Sequence, residues 1–166
     1  MPALRVLSIF WLLLVSVSVS AAEQVLFGPA PDWLQSVSAP TTSTQPAVSG
    51  QRYLLVDRQV YVDSTQVQRF NRFVIQITST EGLEKSSQLA FDFAPDYETL
   101  TIHNVQVWRN GKKLDRLEPQ ELRVFQREAD LERFLYSGNR TAYLILPDIR
   151  VGDVLEYSYT IQGTNP

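Results

Sequence analysis

The chain has 166 residues, with 15 basic and 18 acidic side chains, one histidine and no cysteine. That length allows one modest domain, and the missing cysteines exclude a disulfide framework, a thiolate nucleophile and a cysteine-based metal site. A net charge of −3, with Lys and Arg interspersed among Asp and Glu, argues against nucleic acid, because a binder of phosphate backbones needs a basic face.

Met1 to Arg5 carries one basic side chain, Val6 to Val19 is nearly all apolar or Ser, and Ser20-Ala21-Ala22 supplies small residues. This is the pattern of a secretory signal peptide over residues 1–22, cleaved near Ala21 or Ala22, and it sends the mature chain to the periplasm or cell envelope. The apolar run is short for a membrane span; a retained anchor is the other reading. No cysteine follows the run, which excludes a lipoprotein anchor. Removing the leader takes away Arg5 and no acid, leaving 14 − 18 = −4.

Residues 23–50 are rich in Pro, Ser, Thr and Ala, with Phe27, Trp33 and Leu34 as their few large apolar groups. Such a stretch cannot bury enough to order itself fully, so an extended arm is expected, docked at Trp33, with Thr41 to Gly50 as a flexible tether. From Arg52 the pattern is strand-like. Tyr53 to Val62 and Val67 to Thr78 form a hairpin across Asp63-Ser64-Thr65, Thr78 to Gly82 reads as a turn, and Leu89, Phe91 and Phe93 mark a third strand. In Thr99 to Trp108 the apolar phase slips, with Leu100 and Ile102 on one parity and Val105 and Val107 on the other, so a bulge or a change of sheet is expected near His103-Asn104. Asn110-Gly111 predicts a tight hairpin into Lys113 to Leu117, interrupted by Glu118-Pro119.

Gln120 to Phe125 follows as a strand, and Leu131, Phe134 and Leu135 sit at helical spacing within Arg127 to Tyr136. The stretch from Arg140 to Ile161 then reads as a closing hairpin: Tyr143 to Leu146 stopped by Pro147, a turn from Asp148 to Asp153, and a strand with Leu155, Tyr157, Tyr159 and Ile161 on its buried face and Glu156, Ser158 and Thr160 on its wet face. About eight short strands with at most one short helix predict an all-β, antiparallel immunoglobulin-like β-sandwich over residues 51–166.

Little in this inventory carries chemistry. His103 is the sole histidine, and its place in an alternating strand makes it a packed or solvent-facing residue rather than a catalytic base or metal ligand. Asp92 with Asp96, and Asp148 with Asp153, bracket turns and read as turn chemistry rather than acid pairs or a calcium loop. Asn139-Arg140-Thr141 matches a glycosylation acceptor with little specificity. No catalytic, cofactor-binding or metal-binding residue is assigned, and no cofactor is expected.

Tyr53-Leu-Leu-Val-Asp-Arg-Gln-Val60, Phe91-Asp-Phe-Ala-Pro-Asp-Tyr97 leading to Leu100-Thr-Ile-His103, Arg109-Asn-Gly-Lys-Lys-Leu-Asp115, Leu122 to Tyr136, and Asp148-Ile-Arg-Val-Gly-Asp153 with Glu156-Tyr-Ser-Tyr159 together resemble one domain. It is the amino-terminal domain of unknown function of exported bacterial transglutaminase-like proteins, and the resemblance covers roughly residues 30 to 166. It implies an immunoglobulin-like sandwich ahead of a papain-like domain that carries a Cys, His and Asp triad. This chain has no cysteine and ends at Asn165-Pro166, about where that family's linker begins, so no catalytic residue is carried over and a longer natural product is expected.

The expected function is therefore that of a non-catalytic accessory module, one that positions or regulates a following transglutaminase-like domain or recognises its envelope protein or glycan. Phe27, Trp33, Tyr157 and Tyr159 are its candidate interface residues, with core packing the stronger reading for the two tyrosines. The alternative, a stand-alone periplasmic glycan- or peptide-binding domain, requires an exposed aromatic row, for instance among Tyr53, Tyr61, Tyr97 and Trp108.

Overall fold

A computed structural model describes residues 25–126 and 138–164. The signal peptide expected over residues 1–22 and the helical turns expected within Arg127 to Tyr136 lie outside them. The described residues form β1 (Val25–Phe27), β2 (Gln51–Val62), β3 (Val67–Ile77), α1 (Thr80–Ser86), β4 (Gln88–Phe93), β5 (Glu98–Arg109), β6 (Lys112–Asp115), a 3₁₀ turn (Pro119–Glu121), β7 (Leu122–Gln126), β8 (Arg140–Ile145) and β9 (Val154–Gly163). The larger sheet runs β1-β5-β9-β3-β2, with β6 also on β5, and the smaller runs β4-β8-β7. This is the expected all-β sandwich. Its one departure from antiparallel pairing is β1, which joins β5 in parallel from Val25 opposite Leu100 to Phe27 opposite Ile102.

The expected closing hairpin is not one. β8 lies between β4 and β7, while β9 lies between β5 and β3, so the two strands are the inner members of different sheets. The connection cannot fold back as a ladder. Leu146 donates its amide to Ser87, Pro147 has no amide to give, and the far end of the turn bonds to β3 instead, through Ile77 to the Asp153 carbonyl at 2.9 Å and Gly152 to the Ile77 carbonyl at 2.8 Å. Residues 146–153 are thus the corner that joins the sheets.

The phase slip in β5 is resolved by a bulge. The register against β9 shifts between Ile102 and Asn104, and Leu100, Ile102, Val105 and Val107 all end up fully buried on the same face. They meet Phe91, Ala142 and Leu144 of the smaller sheet, with Phe91 edge-on to Tyr159 at 4.9 Å between ring centroids. Asn110 and Gly111, at φ of 51° and 75°, make the β5–β6 turn that their sequence predicts.

Where a turn was expected at Thr78 to Gly82, α1 begins, capped by Ser79, whose side chain accepts from the Gly82 amide, and supported by Glu81 and Lys85 one turn apart at 3.0 Å. Gly82 is what obscures this helix in the sequence, and it is there because the backbone at Gly50 crosses so closely that a Cβ on Gly82 would lie 1.8 Å from the Gly50 carbonyl oxygen. Gly82→Ala should therefore destabilise the fold by roughly 1–3 kcal/mol in a urea melt, overpacking outweighing the gain of about 1 kcal/mol in helix propensity. An unchanged or raised midpoint would mean that the crossing relaxes freely.

Candidate functional site

The sequence predicts a wet outer face for β9, yet Glu156, Ser158 and Thr160 are 8%, 2% and 3% exposed. The arm is the reason. Residues 28–45 cross the outer face of the larger sheet and are held there mainly through their main chain. His103 lies 3.0 Å from the Gly28 carbonyl through Nδ1; Arg72 donates to the Val37 carbonyl at 2.8 Å and Arg52 to the Gln45 carbonyl at 3.1 Å. The Gln59 side-chain amide accepts from the Gln35 amide at 2.9 Å and donates to the Gln35 carbonyl at 2.8 Å, as a neighbouring strand would. One side chain of the arm anchors it: Trp33 stacks on Tyr61 with ring centroids 5.6 Å apart and donates its indole N–H to Gln68 at 2.8 Å.

Beneath the arm sits a charged cluster built by three adjacent strands. Glu156 Oε1 accepts from Arg72 Nε at 2.9 Å, and its Oε2 accepts from Gln106 Nε2 at 2.6 Å and Trp108 Nε1 at 3.1 Å. Burial pushes the Glu156 carboxyl up, but the Trp108 and Gln106 hydrogen bonds and the Arg72 charge outweigh it and hold the group below its usual 4.5. A carboxylate so saturated with donors is a poor proton acceptor and a good strut.

A second cluster closes the corner between the sheets. Asp153, 2% exposed, takes Arg109 in a two-pronged pair at 2.8 Å on both oxygens and the Arg150 amide at 2.8 Å, while Arg109 also reaches the Asp148 carboxylate at 2.9 Å. Burial raises the Asp153 carboxyl, yet the Arg109 and Arg150 hydrogen bonds win and hold it low; Asp148 is held low first by Arg109 and then by Arg150. Arg109 is correspondingly raised, first by Asp153 and then by Asp148. Gly152 completes the turn at φ 96°.

All three carboxylates have depressed folded-state values, so their stabilisation is complete above their ordinary range and is lost as pH falls through the folded values. His103 adds to the same trend. Burial is the main cause of its lowered pKa, so the unfolded chain takes up its proton first as pH falls below the usual 6.5. Urea midpoints should therefore decline in two stages, a small one below pH 6.5 and a larger one below pH 4.5. Glu156→Gln should flatten the second stage and His103→Gln the first; midpoints unmoved between pH 7 and pH 3 would refute the account.

The residues singled out in the sequence are scattered. Phe27 lies on β1, partly exposed; Trp33 is on the arm; Tyr157 and Tyr159 point toward the smaller sheet, Tyr157 stacked on Phe73 at 5.1 Å and Tyr159 against Phe91. The four aromatics of the alternative reading form no single row. Tyr61 and Trp108 share the outer face but stand at opposite ends of it, Tyr53 pairs with the core residue Ile75, and Tyr97 precedes β5. His103 packs on Phe70 and, donating to Gly28 through Nδ1, accepts the Thr160 hydroxyl proton at Nε2 across 2.7 Å. Asp92 meets the directly opposed Thr141 hydroxyl across the β4–β8 pair. Among the described residues no three or more His, Cys, Asp or Glu gather in a group that could hold a metal ion.

The Glu156 cluster escaped the sequence because its members lie on β3, β5 and β9, and only the strand order makes them neighbours. The signal that could have found it is Glu156 itself, the one charged residue of β9, whose other members are apolar, aromatic or uncharged.

A family described as a Domain of Unknown Function with solved-structure structure (DUF3857) matches residues 63–166. The fold is similar to the crystal structure of a "putative protease" from Parabacteroides distasonis, with a TM-score of 0.63 and 12% identity, over 72% of this chain and 24% of that one. The chain thus spans about a quarter of that structure's length, and at such low identity the likeness concerns the fold alone. No curated protein matches the sequence.

Proposed function

The chain belongs to the DUF3857 family of domains of unknown function, and from that premise we propose that it is a non-catalytic, exported accessory module of a transglutaminase-like protein. Its role is to position or regulate a papain-like domain that follows it, or to present that domain's envelope substrate. The observation that carries this reading is the use the fold makes of its ionisable groups. Glu156, Asp148 and Asp153 are each occupied by arginine, and both ring nitrogens of His103 are engaged in holding the arm and β9. A general base or nucleophile needs a free lone pair facing a substrate, whereas these groups lock strands, corner and arm together. The likeness to about a quarter of a "putative protease" supports a part within a longer enzyme, and the leader-like amino terminus supports export.

The test compares two proteins for hydrolysis and acyl transfer on envelope peptides: the full gene product, and the chain described here. The full product should turn over substrate and the sandwich alone should not. Turnover by the sandwich alone, abolished by His103→Ala, would overturn the proposal.

A further inference from the structure

We infer that the outer face of the larger sheet is a groove for a peptide main chain, which the chain's own residues 28–45 fill in cis and only in part. The inference deepens the substrate-presenting role proposed above, but it rests on three features of the groove itself.

The first is the mode of contact. His103, Gln59, Arg72 and Arg52 all bond to the arm's main chain, at Gly28, Gln35, Val37 and Gln45, and Gln59 engages both the amide and the carbonyl of one residue. The arm turns at Asp32-Trp33, where the Leu34 amide donates to the Pro31 carbonyl at 3.4 Å, so these contacts read the main chain of a segment with one turn and are indifferent to most of its side chains. The second is the anchor. Tyr61 and Gln68 form a place for one aromatic ring with an N–H on its edge, which Trp33 occupies.

The third is the incomplete fit. Between the arm and the sheet lies a cleft of about 230 Å³, open to solvent and lined by Ala30, Leu34 and Val37 from above and by Phe70, Asn104 and Ser158 from below. Unfilled space forfeits contacts, so the arm covers this face incompletely and leaves room for larger side chains. The fitting ligand is a peptide with an aromatic residue for Tyr61 and, after it, side chains larger than Leu34 and Val37 to fill the cleft. Proline suits it as it suits the arm, because the pre-extended backbone loses less freedom on docking.

Trans binding must compete with the arm, which fixes the experiment. The probe is a fluorescein-labelled synthetic peptide with the sequence of residues 28–45, measured by anisotropy against the wild-type chain and against Trp33→Ala. Loosening the resident arm should raise the affinity for the free peptide at least about tenfold, because the competent, open fraction grows. Gln35→Pro, which removes the arm amide that Gln59 accepts and leaves the sheet intact, should act in the same direction and serves if Trp33→Ala does not fold. On either background Gln59→Ala should weaken the peptide about tenfold, as should N-methylation of the peptide at its Gln35 amide, while exchanging the peptide's Gln35 and Ser36 side chains for Ala should change affinity less than about threefold. Equal affinity for wild-type and loosened chains, or indifference to Gln59→Ala and to N-methylation, would overturn the inference. Either result is independent of whether the sandwich is followed by an enzyme domain.

Discussion

Asp153→Ala should lower the unfolding free energy by about 3 kcal/mol, the low end of the range for breaking a buried ion pair from one side. The carboxylate is almost fully buried, and its loss strands three donors: both prongs of Arg109 and the Arg150 amide. Arg109 keeps Asp148 as a partner, which is why the expected cost is not at the upper end. The damage should not stay local. The Asp153 carbonyl and the Gly152 amide tie the corner to Ile77 at the end of β3, so a loosened corner frees the link between β8 and β9 and hence between the sheets. Urea titration of the variant should show the loss with an unchanged m-value; a loss under about 1 kcal/mol would mean that the corner is a surface ornament.

Glu156→Ala should cost a similar amount, about 3 kcal/mol, and for the same reason: Arg72, Gln106 and Trp108 would lose their common acceptor beneath the arm. Glu156→Gln should cost less, roughly 1–2 kcal/mol, since the amide oxygen can still accept from Gln106 or Trp108 while the charge opposite Arg72 is lost. The ordering separates a strut from a catalytic acid. If Glu156 were catalytic, Gln would abolish activity and leave stability nearly untouched; the strut role predicts that stability falls with each substitution.

The parts of this fold written in local residue patterns were legible. The Asn110-Gly111 turn, the slip at His103-Asn104 and the turn from Asp148 to Asp153 each follow from a few neighbouring residues, and the structure has all three. The parts set by pairing at a distance were not. Nothing within Arg140 to Ile161 says that its two strands join different sheets; that outcome depends on Ser87, Ile77 and Pro147 denying them a common ladder. Alternation in β9 correctly marked Tyr157 and Tyr159 as facing inward but misread the other face, because the arm that covers Glu156, Ser158 and Thr160 lies more than a hundred residues earlier and has a composition that predicts little burial. The same distance hid the candidate site, whose polar groups become a cluster only once β3, β5 and β9 stand side by side.

The central claim is that this sandwich works as one part of a longer exported enzyme. The size of the native product tests it most directly, by intact mass or by blotting envelope fractions with an antibody raised against the sandwich. The account predicts a species in the envelope well above the 18.9 kDa of this chain. A species slightly below that mass, the size left by leader removal alone, would contradict it and leave a domain that acts by itself.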